Sequence, residues 1–406
     1  MNIVMLGPFG LRPRGTMSVR ALPLARALVK RGHAVTLLLP PWQNPADAGR
    51  SWEDAGVRIE NLSLPARVPG WFHLRLATAL ARRAHKLRPD LIYAFKPKAY
   101  AGLAHWFLAR FSTLPVIVDT DDWEGAGGWN DLNPYPLPLK WFFAWQERWG
   151  LRHADAVTVA SRALQTLTWA QGVAPERVHY LPNGVLARPA APTTSYGTTS
   201  RPTLLLYTRF FEYEVARLWH IVARVKAARP AVRLWVVGKG FFAEEQTLLR
   251  LAREAGWRVT EKIPPAPTDD LIYAGLAPAA ALPAHFAQAD LALYPFDDTL
   301  INRTKCPVKL LDLLAAGIPV VAEAVGELPQ MIRAGETGLL VPPGDDEAFT
   351  AALLALLDDA DRRQALGARA AVDVRAHFSW DQLAASVESA LAWQRGGGVA
   401  SQHDLK

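Results

Sequence analysis

Two short stretches of this 406-residue chain gather residue types that can do chemistry. The first is "KCPVKLLDLLAAGIPVVA", residues 305–322, with Lys309 and Asp312 three positions apart ahead of a glycine and an apolar run. If the segment is helical, the two side chains share a face. They then form either a surface ion pair or the two ends of one ligand site, a cation for phosphate and a carboxylate for hydroxyls. The second is "VDTDDWEGAGGWND", residues 118–131, where Asp119, Asp121, Asp122 and Glu124 follow an apolar strand. Carboxylates placed there can accept from hydroxyls, act as a general base, or cap the loop.

The elements that must position these groups are legible as an alternation. "NIVML", "HAVTLLLP", "VRIENLSL", "PDLIYAF", "LPVIVD", "DAVTVAS" and "RVHYLPNGV" read as strands, with amphipathic helices such as "MSVRALPLARALVKRG" and "HLRLATALARRAHKLR" between them. Gly32 closes the first of those helices. Residues 186–202, "LARPAAPTTSYGTTSRP", lose all periodicity and read as a linker. The alternation then restarts at "TLLLYTR" and runs through "VRLWVVGKG", "LIYAGL", "DLALYPF" and "IPVVAEA", with Asp345 as the N-cap of a later helix. The expected architecture is α/β: two doubly wound domains, 1–185 and 203–375, with a C-terminal helix at 376–394 packing back toward the first domain and a disordered tail at 395–406. In such sheets ligands bind outside the carboxyl ends of the strands, so two domains facing across a cleft would hold the ligand between those edges.

Composition narrows the function classes. A single cysteine, Cys306, rules out a disulfide framework and a cysteine zinc site. No apolar run is long enough to span a membrane. The opening "MNIVMLG" enters a strand at once, which gives the expectation of a cytoplasmic protein without a signal peptide. Residues 1–190 hold 23 Lys and Arg against 13 Asp and Glu, and the remainder 22 against 25. The basic first half suits an anionic membrane surface or a phosphorylated substrate, or is a solvated basic face. Nucleic acid is not the expected partner, because the arginines are spread over helices and no recognition module is legible. "LKWFFAWQERW", with Lys140, Arg148 and Arg152 alongside, has aromatics too dense for one helix face, and both core packing and membrane contact stay open.

Six motifs in order, "RGHAVTLL", "ADAVTVASRALQTL", "VHYLPNGV", "LWVVGKG", "AAGIPVVA" and "GETGLLVPPGDDEAF", resemble the GT-B fold glycosyltransferases, family 4 in particular. The likeness extends over roughly residues 1–390. It implies two Rossmann-like domains, with the nucleotide-diphosphate sugar held by the second and a glycan, lipid or lipid-linked acceptor by the first. It further implies retention at the anomeric carbon, the leaving phosphate serving as base, and neither metal nor cofactor. The enzyme would work at the inner face of the membrane as a peripheral protein.

Carried over position by position, Arg209 in "LLLYTRFF" matches the arginine that contacts the diphosphate, and Asp312 the carboxylate that holds the ribose. Lys309, in "CPVKLLD", takes the place of a phosphate cation, with Arg303 and Lys305 as neighbours able to share that role. Gly275 and Leu276 lie where the family holds the base through backbone groups, and Gly326 where it approaches the donor. Gly15 and Thr16 end the loop "GPFGLRPRGT", which the resemblance places beside the acceptor together with Asp119, Asp122 and Glu124. Asp121 is the candidate base. "DTD" also spells the Asp-x-Asp of metal-dependent transferases, but the two-domain organisation argues against that fold. His33 begins a strand and is expected to be structural.

Departures are as informative. The family's second cation falls on Glu214, its sugar-contacting glutamate on Thr304, and Glu327 and Gln330 replace a glycine and a glutamate. They motivate a second hypothesis, a catalytically degenerate GT-B subunit that binds a partner or glycan. A rival enzyme class is an inverting transferase or a nucleotide-sugar epimerase, for which an acid such as Asp121 would be essential.

Overall fold

The computed structural model describes residues 1–396, except 14, 67, 69, 70, 187–200 and 267. The linker 186–202 therefore lies almost wholly outside the described residues, as does nearly all of the tail 395–406. The chain divides into two compact units. One comprises Met1–Leu186, Thr304–Cys306 and Phe378–Lys406, the other Ala187–Arg303 and Pro307–His377.

The first unit runs β1 (Asn2–Leu6), α1 (Leu22–Lys30), β2 (Ala34–Leu39), β3 (Ser51–Asp54), β4 (Val57–Asn61), α2 (Trp71–Lys86), β5 (Leu91–Phe95) and α3 (Ala99–Phe111). It continues with β6 (Val116–Thr120), α4 (Trp129–Leu132), α5 (Leu137–His153), β7 (Ala156–Val159), α6 (Arg162–Ala170) and β8 (Val178–Tyr180). Its sheet has the order β3-β4-β2-β1-β5-β6-β7-β8. All neighbours are parallel except β3 and β4. Strands such as "LIYAF" are apolar at every position because both faces are buried, as parallel sheets require. The helix α1 ends where Gly32 takes φ +90°, a left-handed conformation that only glycine adopts without strain. Ser161 caps α6 by accepting from the Leu164 N–H.

The strand β3, "SWED", is absent from the sequence reading. Its residues are mostly exposed and acidic, so no apolar alternation marks it. It is fixed instead by a two-residue turn, Ala55 and Gly56, both at positive φ.

The second unit runs β9 (Thr203–Thr208), α7 (Val215–Ala228), β10 (Arg233–Gly238), α8 (Glu244–Glu254), β11 (Val259–Thr260), β12 (Leu271–Tyr273), α9 (Leu282–Phe286) and β13 (Leu291–Tyr294). It continues through α10 (Leu300–Thr304), α11 (Val308–Ala315), β14 (Val320–Glu323), α12 (Leu328–Met331), β15 (Leu339–Val341), α13 (Asp346–Asp358) and α14 (Ala360–His377). Its sheet is parallel, in the order β11-β12-β10-β9-β13-β14-β15. Asp345 caps α13 through the Ala348 N–H, as its sequence position predicts. The final helix, α15 (Trp380–Gly396), belongs to the first unit, where Trp380, Leu383 and Val387 join the core around α1.

In both sheets the winding reverses beside the first strand, between β1 and β5 and between β9 and β13. Those reversals open the crevice in which doubly wound proteins bind ligands.

Candidate active site

In the first unit the loops after β1, β5 and β6 converge at the reversal. A π-helical turn, Met17–Ala21, precedes α1 and carries Arg20 into the interior. Arg20 grips Asp119, the penultimate residue of β6, through two hydrogen bonds of 2.7 Å. Asp119 also accepts from Thr158, and Arg20 donates to the Leu181 carbonyl and to Asn183. Both charged side chains are fully buried. Asp119 is thus a structural anchor for strand ends and not an acceptor contact, which corrects the sequence expectation.

Asp121 and Asp122, just beyond β6, are organised by a lysine that the sequence reading did not single out. Lys96 follows β5 at φ +56°, and its Nζ lies 2.5 Å from Asp122 Oδ2 and 3.2 Å from Asp121 Oδ1. Thr16 donates to Asp121 at 2.7 Å, so two expected acceptor-side residues do meet. Gly15 stands beside Thr16, its N–H donating to Ser18 Oγ. Burial works against ionisation of both aspartates, yet their environments separate them. For Asp121 the charges of Lys96 and Arg20 and the Thr16 hydrogen bond outweigh burial, and its carboxyl is held below the usual range. For Asp122 burial, with the negative charge of Asp121 and Glu124, outweighs Lys96 and pushes the carboxyl up. A carboxylate held ionised, with the Lys96 ammonium beside it, suits recognition of a hydroxyl, which both donates and accepts.

Glu124 sits deeper. Its carboxylate accepts from Lys98 Nζ at 2.5 Å, and Lys98 rests over the Phe143 ring at 4.7 Å. Glu124 is buried by these partners rather than presented to a ligand, the second correction to the expected acceptor set. Behind it Glu147 of α5 accepts from the Glu124 N–H at 3.0 Å. Burial, reinforced by the Glu124 charge, pushes Glu147 up to about 8. Lys96 and Lys98 had one sequence signal, "FKPK" directly after an apolar strand. His33 bonds Glu388 of α15 and is structural, as expected.

In the second unit the corresponding place is the end of β9. Arg209 directly follows that strand, and its guanidinium carbon lies 4.3 Å from the Phe241 ring centroid. Lys309, on the first turn of α11, has its Nζ 5.0 Å from the centroid of Tyr207, the penultimate residue of β9. Two cations therefore belong to one strand end, and Asp312 follows Lys309 by one turn of the same helix. Gly326 takes φ +55°, and a Cβ there would stand 2.6 Å from the Arg303 Cα, so only glycine lets the β14 loop lie against α10. Gly275 takes φ +62° and its carbonyl accepts from the Gly238 N–H at 2.8 Å, while Leu276 is exposed.

The remaining expected donor residues fare differently. Arg303 is paired with Asp298 at 2.5 Å. Thr304 groups with the first unit, is buried, and gives its carbonyl to Ser161 Oγ at 2.7 Å, so it is a packing residue there rather than a donor contact. Lys305 and Cys306 group with it. Glu214 begins α7 as its N-cap residue without a side-chain capping bond.

A further cluster escaped the sequence reading. Arg217 of α7 bridges Asp297, Glu323 and Asp346 at 2.6, 2.5 and 2.6 Å. Glu323 ends β14, fully buried, and also accepts from the Phe296 and Gly344 N–H groups. One arginine thereby ties together the loops at the carboxyl ends of β13, β14 and β15. Among the described residues no group of three or more His, Cys, Asp or Glu is arranged to hold a metal ion.

Comparison with known proteins identifies the family. Residues 15–184 match the Glycosyl transferase 4-like domain and residues 201–359 the Glycosyl transferases group 1 family. The chain belongs to these families and is a GT-B glycosyltransferase. It is 27% identical over 407 residues to the GDP-mannose-dependent alpha-(1-6)-phosphatidylinositol monomannoside mannosyltransferase of Mycobacterium tuberculosis, covering 96% of this chain and 97% of that protein. The Mycolicibacterium smegmatis protein of the same description is 28% identical over 383 residues, covering 90% of this chain and 92% of that one. Among solved structures, sucrose-phosphate synthase from Thermosynechococcus elongatus superimposes with a TM-score of 0.74 at 19% identity, over 97% of this chain and 99% of that one. Anabaena HepE in complex with UDP does so at 0.68 and 19%, over 97% of this chain and all of that one.

Proposed function

We propose that this protein transfers a hexosyl group, with mannose from GDP-mannose as the first candidate, to a hydroxyl of a lipid-linked polyol. The second unit takes the donor and the first unit the acceptor. The observation that carries the reading is the pairing of Arg209 and Lys309 at the end of β9, with Asp312 one turn further along α11. Fixed cations there stabilise the charge that develops on a departing diphosphate. Asp312 accepts from the ribose hydroxyls. This arrangement needs no metal, and the transfer is retaining: the acceptor oxygen bonds to the anomeric carbon as the bond to the diphosphate breaks, and the hydroxyl proton passes to the leaving phosphate oxygen. Asp121, held ionised, orients the acceptor hydroxyl. The choice of GDP-mannose and of a lipid-linked acceptor rests on the relatives matched along nearly the whole chain.

Calorimetric titration with GDP, UDP, ADP and their sugars, on the wild type and Asp312→Ala, tests this. Binding of one nucleotide near micromolar, lost in the variant and insensitive to EDTA, is the expected result. Silence across the panel from folded protein would leave a non-catalytic binding subunit as the reading, and dependence on added divalent metal would overturn the metal-free route.

A further inference from the structure

The loop that carries Arg209 is held in an uncommon shape. Phe210, the next residue, takes φ +69° while buried in the core of the second unit. Such a conformation strains a bulky side chain and persists only where its surroundings fix it. Thr208, the last residue of β9, supplies part of that fixing. Its Oγ1 accepts from the Phe210 N–H at 2.8 Å and from the Tyr213 hydroxyl at 2.9 Å. The Glu212 carboxylate accepts from the Arg209 N–H at 3.3 Å. Arg209 itself is left with its Nε buried and without a hydrogen-bond partner, beside the Phe241 ring. An unsatisfied buried donor on a cation suits an anion that has yet to arrive.

The far end of this loop is tied across the reversal between β9 and β13. The Glu212 carbonyl accepts from the Asp297 N–H at 2.9 Å and from Asn302 Nδ2 at 2.7 Å. Glu214 returns a bond, its N–H donating to Asp297 Oδ2 at 2.8 Å. Glu214 stands where the family's second cation falls, and here it contributes a backbone N–H to this link. The other oxygen of Asp297, Oδ1, accepts from Arg217 at 2.6 Å. The same guanidinium reaches Glu323 and Asp346, so Arg217 is the cation that fixes the direction of Asp297. Without it three carboxylates, one of them fully buried, would repel one another at the sheet edge where an anion is to bind.

We propose that Arg217 is a positioning residue of the donor site: through Asp297 it holds the 209–214 loop in the strained shape that aims Arg209 at the donor diphosphate. Arg217 acts through that loop and touches no substrate itself. The inference rests on the reading of Arg209 as a diphosphate contact and adds to it a residue outside the contact set.

The test is a double-mutant cycle on nucleoside diphosphate affinity, read by calorimetry on the full chain with GDP, UDP and ADP. Arg217→Met/Glu323→Gln removes the cation without stranding the fully buried carboxylate. Arg209→Ala should weaken the bound diphosphate on the order of ten- to a hundredfold. The Arg217→Met/Glu323→Gln pair should weaken it roughly tenfold when Arg209 is present and less than about twofold when Arg209 is already alanine. Arg217→Lys keeps a cation among the three carboxylates but lacks the fork that reaches them all, so its affinity should lie between. A merely structural role would lower the melting temperature and leave the two losses additive. Additive losses, or wild-type affinity without Arg217, overturn the proposal while the donor site stands. If the Arg217→Met/Glu323→Gln protein does not fold, Arg217→Lys carries the same cycle, and the same two outcomes overturn it. Silence of the wild type across the three nucleotides, or no effect of Arg209→Ala, removes the donor-site reading and this inference with it.

Discussion

Lys96→Met separates an organising role for this lysine from a merely local one. The ammonium is the cation between Asp121 and Asp122 and lies 3.9 Å from Glu124 Oε1. The side chains of Lys96 and Asp121 are 12% and 10% exposed, so solvent cannot replace what is removed. Breaking a buried pair by deleting one partner costs about 3–5 kcal/mol, because the other charge stays behind. A loss of ~3 kcal/mol lowers the melting midpoint of a unit this size by roughly 6–12 °C. In the wild type Asp121 lies below its ordinary range, so its contribution is present at neutral pH and is lost as pH falls through the folded value. In the variant, burial without the cation lifts the same carboxyl, and stability falls as pH rises instead. The gap between the two proteins should therefore be widest at neutral pH and narrow on acidification, closing only below the ordinary aspartate range, where Asp121 is protonated in both. Differential scanning calorimetry across that range measures it. Lys96→Arg should recover most of the loss. Nucleotide affinity should not move, because Arg209, Lys309 and Asp312 belong to the other unit. An unchanged midpoint in Lys96→Met, or a gap that widens on acidification, would refute the reasoning.

Two further outcomes follow from individual sites. Glu147, pushed up to about 8, is protonated in the folded state at neutral pH but ionised when unfolded, so Glu147→Gln should match the wild type at low pH and be the more stable of the two at neutral pH. A carboxyl raised in the folded state costs stability as pH climbs from its unfolded value toward 8, and the variant's stability profile should be flatter across that window, by denaturant unfolding at several pH values. Gly326→Ala must place a Cβ against the Arg303 backbone at positive φ, a strain of about 1–3 kcal/mol. It should lower the melting temperature and weaken donor-nucleotide binding, whereas Gly275→Ala, with nothing within 4 Å of its Cβ, meets only the backbone penalty.

What the sequence reveals here depends on whether the signal is local. The longer parallel strands, such as β1, β5 and β9, are apolar runs of five or six residues bounded by turns, and the order of strand and helix alone implied the doubly wound sheets. Asp345 was legible as a cap because capping is a relation between neighbours in sequence. The acidic loop was legible as a site, but not its division of labour. Nothing in "VDTDDWE" tells that Asp119 turns inward to Arg20 while Asp121 meets Thr16, since those partners are 99 and 105 positions away. Lys96, Arg217 and Glu323 were missed for the same reason: each is an unremarkable charge in sequence whose role comes from three-dimensional convergence. The aromatic helix shows the limit from the other side. Its density excluded a single buried face, and only the fold separates Phe143, buried under Lys98, from the exposed Trp141.

The two clusters differ in charge in a way that follows from what each would handle. At the end of β9 Arg209 and Lys309 are both cations, which suits a diphosphate carrying its own negative charge and gaining more as it leaves. In the first unit Lys96, Lys98 and Arg20 are matched by Asp119, Asp121, Asp122 and Glu124. Three cations against four carboxylates leave this buried set without a positive excess, so it offers little attraction to an anion but many fixed donors and acceptors to a neutral polyol, whose hydroxyls need both. Binding energy then goes into orientation, which is what a reaction between a hydroxyl and an anomeric carbon requires when the leaving group itself takes the proton. The cost is a group of buried charges that contributes little to stability and depends on every member being present. On this account Lys96 does for the acceptor hydroxyl what Lys309 does for the phosphate, and neutralising either should impair a different substrate.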